Sequence, residues 1–413
     1  MPLHDYAWLE DLTYGDMEAF TYGELEGSVE IPPTLRTVSL EVTLGETILI
    51  DVISARGEVA ADSGWPTCSV FVKNYPYVDN DPDPETGVPL DEENPIEVVA
   101  GAGNNVTRFT GRVRRFRPSA FPKGVEIVSS GTLAYAAEWS PSEDLIFDEQ
   151  WPDGATDQQL VTWSLGFVPG VSYSGVNIEG TGTVLGIGGT PKDSAVFDWK
   201  AGMSAWSYVQ ALDRATLYRT YQARDGTIYR TRMIGHPNNT PDFTLANEDI
   251  LDNATSSRDT ERTRNYVRVV GHDYGHGLGP VMGEAFGSNS FQLDGSDPAT
   301  RHVEEFASDL IESGVDPDDG SWDDRPGLRA DDIAALIIDD VNKEFVEASV
   351  PSWRDDTHGP GLTCLVNCFD RLRIGPEPMW VASHAWEVGD DGWLATYGLT
   401  GGGLPQDYTP PPV

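Results

Sequence analysis

The stretch MWVASHAWEVGDDGWLATYGLTGGG, Met379 to Gly403, carries the pattern that decides the fold. Large or apolar side chains recur at every second position on both sides of a Gly-Asp-Asp-Gly break at residues 389–392. The set before the break is Trp380, Ala382, His384, Trp386 and Val388, and the set after it is Trp393, Ala395, Tyr397 and Leu399. A period of two around a turn predicts two paired strands. The stretch is therefore predicted to be a β-hairpin with an aromatic face.

His384 is the residue of this hairpin whose chemistry suits catalysis. The alternation places it on the aromatic face, between Ala382 and Trp386. A catalytic histidine activates a nucleophile or is oriented by a third group, and no Ser, Cys or Asp of the hairpin stands where it would do either. We therefore interpret His384 as a packed residue of a sheet.

Length and composition indicate a multidomain protein. A chain of 413 residues is long for one hydrophobic core and predicts about two to four domains. Its hydrophobic content of 39%, with 12 Trp, 15 Tyr and 14 Phe, is sufficient to build them. No run approaches the roughly 18 apolar residues of a membrane span, and the acidic start lacks the features of a secretory signal. We expect a soluble chain made in the cytoplasm.

The charge balance excludes one large class of partners. The chain has 67 Asp and Glu against 27 Lys and Arg, a formal net charge of −40. Such a surface repels phosphates, which argues against ordinary nucleic-acid binding. The basic run Arg112, Arg114, Arg115 and Arg117 is expected to pair with acidic neighbours, and strand alternation predicts that the first two lie on one face and the last two on the other.

The three cysteines are Cys68, Cys364 and Cys368, and an odd count cannot form a closed disulfide framework. Cys364 and Cys368 are predicted to be buried thiols. Cys364 and Cys368 lie in GLTCLVNCFDRLRIG, which reads as a strand, so their α-carbons would be roughly 13 Å apart. A disulfide needs about 7 Å or less. A zinc site needs about four ligands, and no second Cys or His pair is placed to supply them.

One acidic loop begins like a calcium-binding loop. Asp79, Asp81 and Asp83 have the spacing of the first ligands. Pro84 stands where the sharp turn needs Gly, and Leu90 stands where the bidentate carboxylate belongs. We interpret this segment as a solvated loop.

Two further patterns resemble binding sites without completing them. His272 and His276, with Asp273 between, have a spacing that suits metal binding on a helix, but the glycines of GHDYGHGLG disfavour a helix. The glycines from Gly186 lack the strand-to-helix setting of a nucleotide site, so a glycine-rich turn is the better interpretation. The sequence predicts no catalytic residue, no metal site and no cofactor.

Helices are predicted at two places. Ser204 can cap a helix with Ala205, Val209 and Leu212 on one face, and a hairpin follows through Arg224-Asp225-Gly226. The segment LRADDIAALIIDDVNKEFVEA, residues 328–348, predicts an amphipathic helix. The carboxylates of this helix are Asp331, Asp332, Asp339 and Asp340, and we interpret them as a solvated face. Residues 124–139 are predicted to be strand, and the region from about Trp151 is predicted to open with strands.

The order of these elements resembles the baseplate hub, or tail-tip hub, proteins of bacteriophage tails. The resemblance rests on VTRFTGRVRRFRPSAFPKGVEIVSSGTLAYA (residues 106–136), AWSYVQALDRATLYRTYQARDGTIY (205–229), DTERTRNYVRVVG (259–271), and the closing run of ADDIAALIIDDVNKEF (330–345), DRLRIG (370–375) and the hairpin. Each pattern is short, and their order along most of residues 36–400 carries the resemblance.

The resemblance implies a mainly β protein with α+β insertions, built from two tail-tube-like β-barrels and a small α+β domain. We expect an acidic N-terminal arm that becomes ordered against a partner, the two barrels with the α+β domain inserted between them, and a flexible tail. The expected ranges are 1–35 for the arm, 36–150 for the first barrel, 151–237 for the inserted domain, 238–400 for the second barrel with its helix, and 401–413 for the tail.

The resemblance also implies a function. In that family three chains form a ring that joins the tail tube and the distal tail ring to the tip, so we expect a non-enzymatic homotrimer in the virion. Its expected partners are a distal tail protein, a tape measure protein and tip, spike or receptor-binding proteins, with genomic DNA passing transiently and without specific binding. Two alternatives stay open: a carbohydrate-active or glycan-binding β protein, and another minor tail protein such as a distal tail or receptor-binding protein.

Overall fold

The computed structural model describes residues 38–73, 93–102, 105–120, 123–174, 177–186, 194–232, 240–259, 263–273, 279–287, 294–315, 322–323, 327–342, 345–353, 359–368, 372, 374–389 and 392–402. The predicted arm, the tail from residue 403 and the acidic loop with Asp79, Asp81 and Asp83 lie outside these ranges.

Most of the described chain is strand. The strands are β1 (Val38–Leu44), β2 (Thr47–Ile48), β3 (Val52–Ala60), β4 (Thr67–Lys73), β5 (Pro95–Ala102), β6 (Val106–Ala120), β7 (Lys123–Ser130), β8 (Ala155–Thr156), β9 (Val184–Leu185), β10 (Arg219–Gln222), β11 (Ile228–Thr231), β12 (Phe243–Ala246), β13 (Thr255–Asp259), β14 (Tyr266–Asp273), β15 (Pro280–Phe286), β16 (Val303–Ala307), β17 (Gly314–Val315), β18 (Trp322–Asp323), β19 (Phe345–Ser352), β20 (Thr363–Cys368), β21 (Ile374–Gly389) and β22 (Gly392–Gly402). The helices are α1 (Tyr135–Glu138), α2 (Phe147–Gln150), α3 (Asp157–Gly166), α4 (Ala205–Thr216) and α5 (Ala330–Val341). The predicted mainly β class is confirmed.

Thirteen strands form one large sheet. Its main path is β13-β19-β22-β21-β3-β4-β7-β6-β5-β1-β2, and β20 joins at β21 and carries β12. The strands predicted to form two separate barrels therefore share one sheet and one apolar core. All pairs in this sheet are antiparallel except that of β12 with β20.

Strand β21 connects the two halves of this sheet. It is 16 residues long, which corresponds to about 50 Å of extended chain. Its first part, Ile374 to Trp380, pairs with β20, and its later part, Ser383 to Val388, pairs with β3. On its other side it pairs with β22 from Trp380 to Gly389. The predicted hairpin is therefore confirmed, with β21 as the shared strand.

The predicted aromatic face of the hairpin holds only in part. In β22 every residue of the predicted set is buried. In β21 the pairing shifts between Val381 and Ser383, so that Ala382 is an extra residue opposite β22. His384, Trp386 and Val388 are buried as predicted, but before the shift the buried residues are Met379 and Val381 rather than Trp380 and Ala382. A bulge of one residue changes which alternate side chains of a strand face the core.

A second apolar core lies under the helices. It combines side chains of α3 and α4 with Val267 and Val269 of β14 and with Ile333 and Ile337 of α5. The core thus draws residues from both sides of the expected border between residues 237 and 238. Strand β14, expected to open the second barrel, lies in a separate five-stranded sheet of order β16-β14-β15-β17-β18. Helix α5 packs against this sheet at Gly283, where an added β-carbon would lie 2.2 Å from the backbone of Ala330.

Two segments predicted to be strand are helical. Residues 124–139 begin with β7, but the chain turns into a short 3₁₀ helix and then α1 after Gly131. The region from Trp151 opens with the two-residue strand β8 and then helix α3, not with consecutive strands. Thr156 and Gln159 form a reciprocal cap at its start, in which each side chain accepts a hydrogen bond from the other residue's backbone N–H, at 3.2 and 2.8 Å.

Candidate functional site

His384 lies inside the large sheet, opposite Val59 of β3 and Tyr397 of β22. Its side chain is 1% exposed, and its ring centroid is 4.9 Å from that of Tyr397. The interpretation of His384 as a packed residue is consistent with this burial. His384 also lines a cleft that lies between the β10–β11 hairpin and the large sheet.

The three cysteines are buried and free, as predicted for Cys364 and Cys368. Cys364 and Cys368 lie on β20, and the Cys368 thiol donates a hydrogen bond to the carbonyl of Leu245 at 3.2 Å. Burial raises the pKa of the Cys68 thiol far above its usual range. Thiolate, the nucleophilic form, is therefore scarce at this position.

The described residues among the other sequence candidates are not brought together at one site. His272 and Asp273 end β14, and His276 lies outside the described residues. Within the described ranges no group of three or more His, Cys, Asp or Glu is placed to hold a metal ion. Asp331 and Asp332 at the start of α5 lie 3.3 and 3.8 Å from the guanidinium of Arg329, and this surface pairing agrees with their interpretation as a solvated face.

The basic run on β6 is largely paired. Arg114 pairs with Glu138 and stacks on Tyr135, and Arg117 lies 3.2 Å from Glu126. Arg112 donates to the carbonyl of Glu93 at 2.8 Å.

The predicted division of these arginines between two faces assumed strict alternation. The pairing of β6 with β7 shifts between Val113 and Arg115. Because of this shift, Val113 and Phe116, which are three residues apart, both contribute to the large core. That division of the arginines is therefore wrong, since a bulge interrupts the alternation.

A buried ionic cluster joins α3, α4 and the hairpin of β10 and β11. The Arg230 guanidinium is fully buried and donates to Asp157 at 2.5 Å and to Asp213 at 2.7 Å. It also donates to the Thr216 hydroxyl and to the Glu179 carbonyl, both at 2.7 Å. Sequence reasoning missed this cluster, which holds three separate segments in one arrangement.

A cleft of about 410 Å³ separates the β10–β11 hairpin from the large sheet. Tyr221 and Tyr229, stacked at 5.8 Å, line the hairpin side together with Arg224. His384 and the segment Gly359 to Leu362, which leads into β20, line the sheet side. This volume lies within the range of small-ligand sites. Other clefts of the described residues have similar volumes, but this one is more enclosed than they are, so we take it as the candidate binding site.

One edge of the large sheet carries exposed apolar side chains. Among the described residues β2 pairs only with β1, so its outer side is open. Ile48 is 56% exposed and Ile50, just beyond β2, is 71% exposed. Open sheet edges and exposed apolar residues are typical of surfaces that are covered in an assembly.

The chain is thus a mainly β protein with one thirteen-stranded sheet and a second apolar core built largely from helices. No protein-family profile matches its sequence, and no curated protein matches it either. No helix in the described ranges is both long enough and apolar enough to cross a membrane.

Solved structures of phage tail proteins have the same fold. A 43 kDa tail protein of prophage MuSo2 from Shewanella oneidensis matches with a TM-score of 0.55 and 12% identity, over 88% of this chain and 96% of that one. A tail protein from Neisseria meningitidis MC58 gives the same values. A prophage tail protein from Listeria monocytogenes EGD-e matches with a TM-score of 0.51 and 10% identity, over 87% and 94%. The resemblance inferred from the sequence is confirmed at the level of the fold.

Proposed function

We propose that this chain is the structural hub of a phage tail tip, a ring of three copies that joins the tail tube and distal tail ring to the tip. The observation that carries the proposal is the fold, which matches phage tail proteins over 88% of this chain and 96% of the first of them. The open, apolar edge at Ile48 and Ile50 supports burial in an assembly. In this role the protein is a non-enzymatic component of the virion.

The partners of such a hub follow from its place in the tail. A distal tail protein and a tape measure protein lie on the tube side, and spike or receptor-binding proteins lie on the tip side. Three copies close a ring by cyclic symmetry, in which each interface joins two different surfaces of the same chain.

The acidity of the chain has a function in this assembly. Three chains of −40 each surround a passage through which a duplex carrying roughly one negative charge per 1.7 Å must move. An acidic wall repels the DNA, and in a narrow passage bounded by protein this repulsion is only partly screened. The genome then slides without binding.

Imaging of the assembled particle tests the proposal. We expect three copies of this chain in one ring at the tip end of the tube, with Asp and Glu in excess on the inner wall. Six copies would assign the chain to a ring such as the distal tail ring instead, and a single copy would also contradict the hub. An inner wall lined mainly by arginine would contradict the sliding role while leaving the ring intact.

A further inference from the structure

The cleft between the β10–β11 hairpin and the large sheet is bounded by contacts that anchor the hairpin on both sides. The Gln222 backbone N–H donates to the Gly64 carbonyl at 2.7 Å, and the Gln222 side-chain oxygen accepts from the Leu133 N–H at 3.0 Å. On the sheet side Gly361 has a φ of +85°, and a β-carbon there would lie 2.3 Å from the Tyr221 hydroxyl oxygen. The walls of the cleft are therefore in place before any ligand binds, as is usual for small-molecule sites.

Arg224 places a hydrogen-bond donor in this cleft. Its Nη1 atom is buried and has no acceptor among the described residues. Burial lowers the pKa of Arg224, and Asp225 acts in the opposite direction. Buried polar groups in folded proteins are nearly always hydrogen-bonded, and a charged donor without an acceptor is costly. A ligand that supplies an acceptor here gains a charge-assisted hydrogen bond.

Hydrogen-bond acceptors line the same cleft. Glu179 is exposed and accepts from the Thr231 hydroxyl at 3.3 Å, and Asp225 accepts from the Thr227 N–H at 2.9 Å. A carboxylate has about four acceptor positions, so both carboxylates can accept further hydrogen bonds. Asn177 adds an amide that can both donate and accept.

The rest of the lining is apolar and aromatic. Tyr229 is part-exposed, and Tyr221 stacks on its ring with 5.8 Å between centroids and 18° between planes. Pro360 and Leu362 line the opposite side. Such surfaces remove the C–H groups of a ligand from water, and a few polar groups beside them set its orientation.

The polar groups of the cleft favour a neutral ligand that both donates and accepts. A phosphate or a carboxylate would meet the like charges of Glu179 and Asp225, and a cation would meet that of Arg224. Arg230 provides no second cation for an anion, because the buried cluster already engages it. Hydroxyl groups donate to carboxylates and accept from a guanidinium. A sugar ring carries several hydroxyls around a surface of C–H groups, which matches both parts of the lining.

We propose that the cleft binds one pyranose ring of a saccharide. Arg224 donates to one of its hydroxyls, and Glu179 and Asp225 accept from others. Tyr229 packs against the C–H groups of the ring. The volume of about 410 Å³ is sufficient for a ligand of this size. The proposal does not depend on the hub function, because it rests only on the groups of one cleft within one chain.

Saturation-transfer difference NMR on the full chain tests the proposal. The probes are the methyl glycosides of glucose, galactose and N-acetylglucosamine, and sorbitol is the control, since it has the hydroxyls but not the ring. We expect at least one glycoside to bind with a Kd on the order of 1 mM, which suits a ligand of this size. Sorbitol should bind about tenfold more weakly or worse, because a flexible chain loses more conformational freedom.

Three variants separate the cleft from the rest of the surface. Arg224→Met should raise the Kd of the glycoside about tenfold or more, because a charge-assisted hydrogen bond is lost. Arg219→Met removes the same charge from the same hairpin, outside the cleft, and should leave the Kd unchanged. Tyr229→Leu keeps an apolar side chain without the ring and should raise the Kd about threefold or more. Arg224→Met should also melt at the temperature of the parent chain, because Nη1 has no acceptor among the described residues to lose.

Four results would overturn the assignment. One is a lack of binding by all three glycosides, and another is binding that Arg224→Met leaves unchanged or that Arg219→Met weakens equally. The third is a large drop in the melting temperature of Arg224→Met, which would show that the guanidinium is bonded within the chain. The fourth is glutarate binding more tightly than the glycosides, which would make the cleft an anion site.

Discussion

Trp386 of β21 lies directly against the backbone of Gly57 in β3, and a β-carbon at residue 57 would stand 2.7 Å from the indole ring. This contact joins two paired strands that lie far apart in the sequence. Only glycine allows Trp386 to remain buried, at 5% exposure, while the strands keep their pairing. A substitution at Gly57 therefore tests how closely β3 and β21 pack.

Gly57→Ala should lower the free energy of unfolding by about 1–3 kcal/mol, because the added methyl group forces the indole or the strand to move. Urea denaturation monitored by tryptophan fluorescence measures the change. Gly375→Ala is the matched control, since Gly375 lies in β21 with no atom within 4 Å of the added β-carbon. Equal effects of the two substitutions would contradict the close contact.

Arg230→Met should destabilise the protein by about 3–5 kcal/mol at pH 7, because it leaves buried carboxylates without their cation. Arg219→Met, which removes an exposed partner of Asp62, should cost at most about 1 kcal/mol. Denaturation of both variants beside the parent chain measures the difference. A small effect of Arg230→Met would mean that the cluster is hydrated in solution.

The stability of the same variant should depend more steeply on pH than that of the parent. Burial raises the pKa of Asp213, and Arg230 acts against this rise. Without Arg230 the folded-state pKa increases further above its unfolded value. A group of this kind stabilises the fold at low pH and loses that contribution as the pH rises through the folded-state pKa. The loss in free energy of unfolding of Arg230→Met relative to the parent should therefore be smaller at pH 5 than at pH 7. A larger loss at pH 5 would contradict the prediction.

Ile50→Asp should reduce incorporation of the chain into particles without unfolding it. Ile50 is 71% exposed, so the substitution should change the stability of the isolated chain by no more than about 0.5 kcal/mol. A carboxylate at an assembly interface is costly to desolvate. Co-expression with the parent chain, followed by mass spectrometry of purified particles, gives the incorporation ratio. Met203→Asp, at a 37% exposed residue away from the sheet edge, serves as the control. Equal incorporation of both variants would show that this edge is not part of an assembly interface.

The three cysteines should be inert in the folded protein. Each is buried, and the pKa of Cys68 is raised by that burial. We expect no reaction with a thiol reagent at pH 7 under native conditions and complete reaction in denaturant. Rapid native labelling of any one cysteine, located by peptide mapping, would contradict its position in the core.

His384→Gln should weaken folding and leave any enzymatic activity of the particle unchanged. The substitution replaces a buried ring that packs 4.9 Å from Tyr397, which accounts for a loss of stability. Any hydrolytic activity measured for particles assembled with the variant should equal that of the parent particles. A selective loss of hydrolysis from well-assembled particles would assign His384 a catalytic role.

Local patterns predicted the local elements well. The alternation around residues 389–392 located the β21–β22 hairpin, and Ser204 caps α4 by accepting a hydrogen bond from the backbone N–H of Ser207. Helix α3 was missed although its reciprocal cap at Thr156 and Gln159 is visible in the sequence. Its apolar residues Leu160, Val161 and Leu165 are buried beside polar residues that are buried as well, so the helical period is obscured.

Features that depend on distant pairings could not be predicted. The bulge at Ala382 is a property of the pairing between β21 and β22, and a single strand pattern does not reveal where parity changes. The cluster around Arg230 joins Asp157 and Asp213 from separate helices. The cleft depends on how the β10–β11 hairpin lies against the large sheet. None of these contacts between distant segments can be read from a single sequence.

The pairing of β3 with β21 has a consequence for synthesis in the cell. Val59 and His384 are partners in this pairing, so the central strands of the large sheet come from the two ends of the described chain. At about 5–20 residues per second, β3 waits on the order of tens of seconds for its partner to leave the ribosome. During that time one side of β3 exposes unpaired backbone groups, and such edges favour aggregation. Folding yield should therefore depend on chaperones that hold the nascent chain until β21 has left the ribosome and pairs with β3.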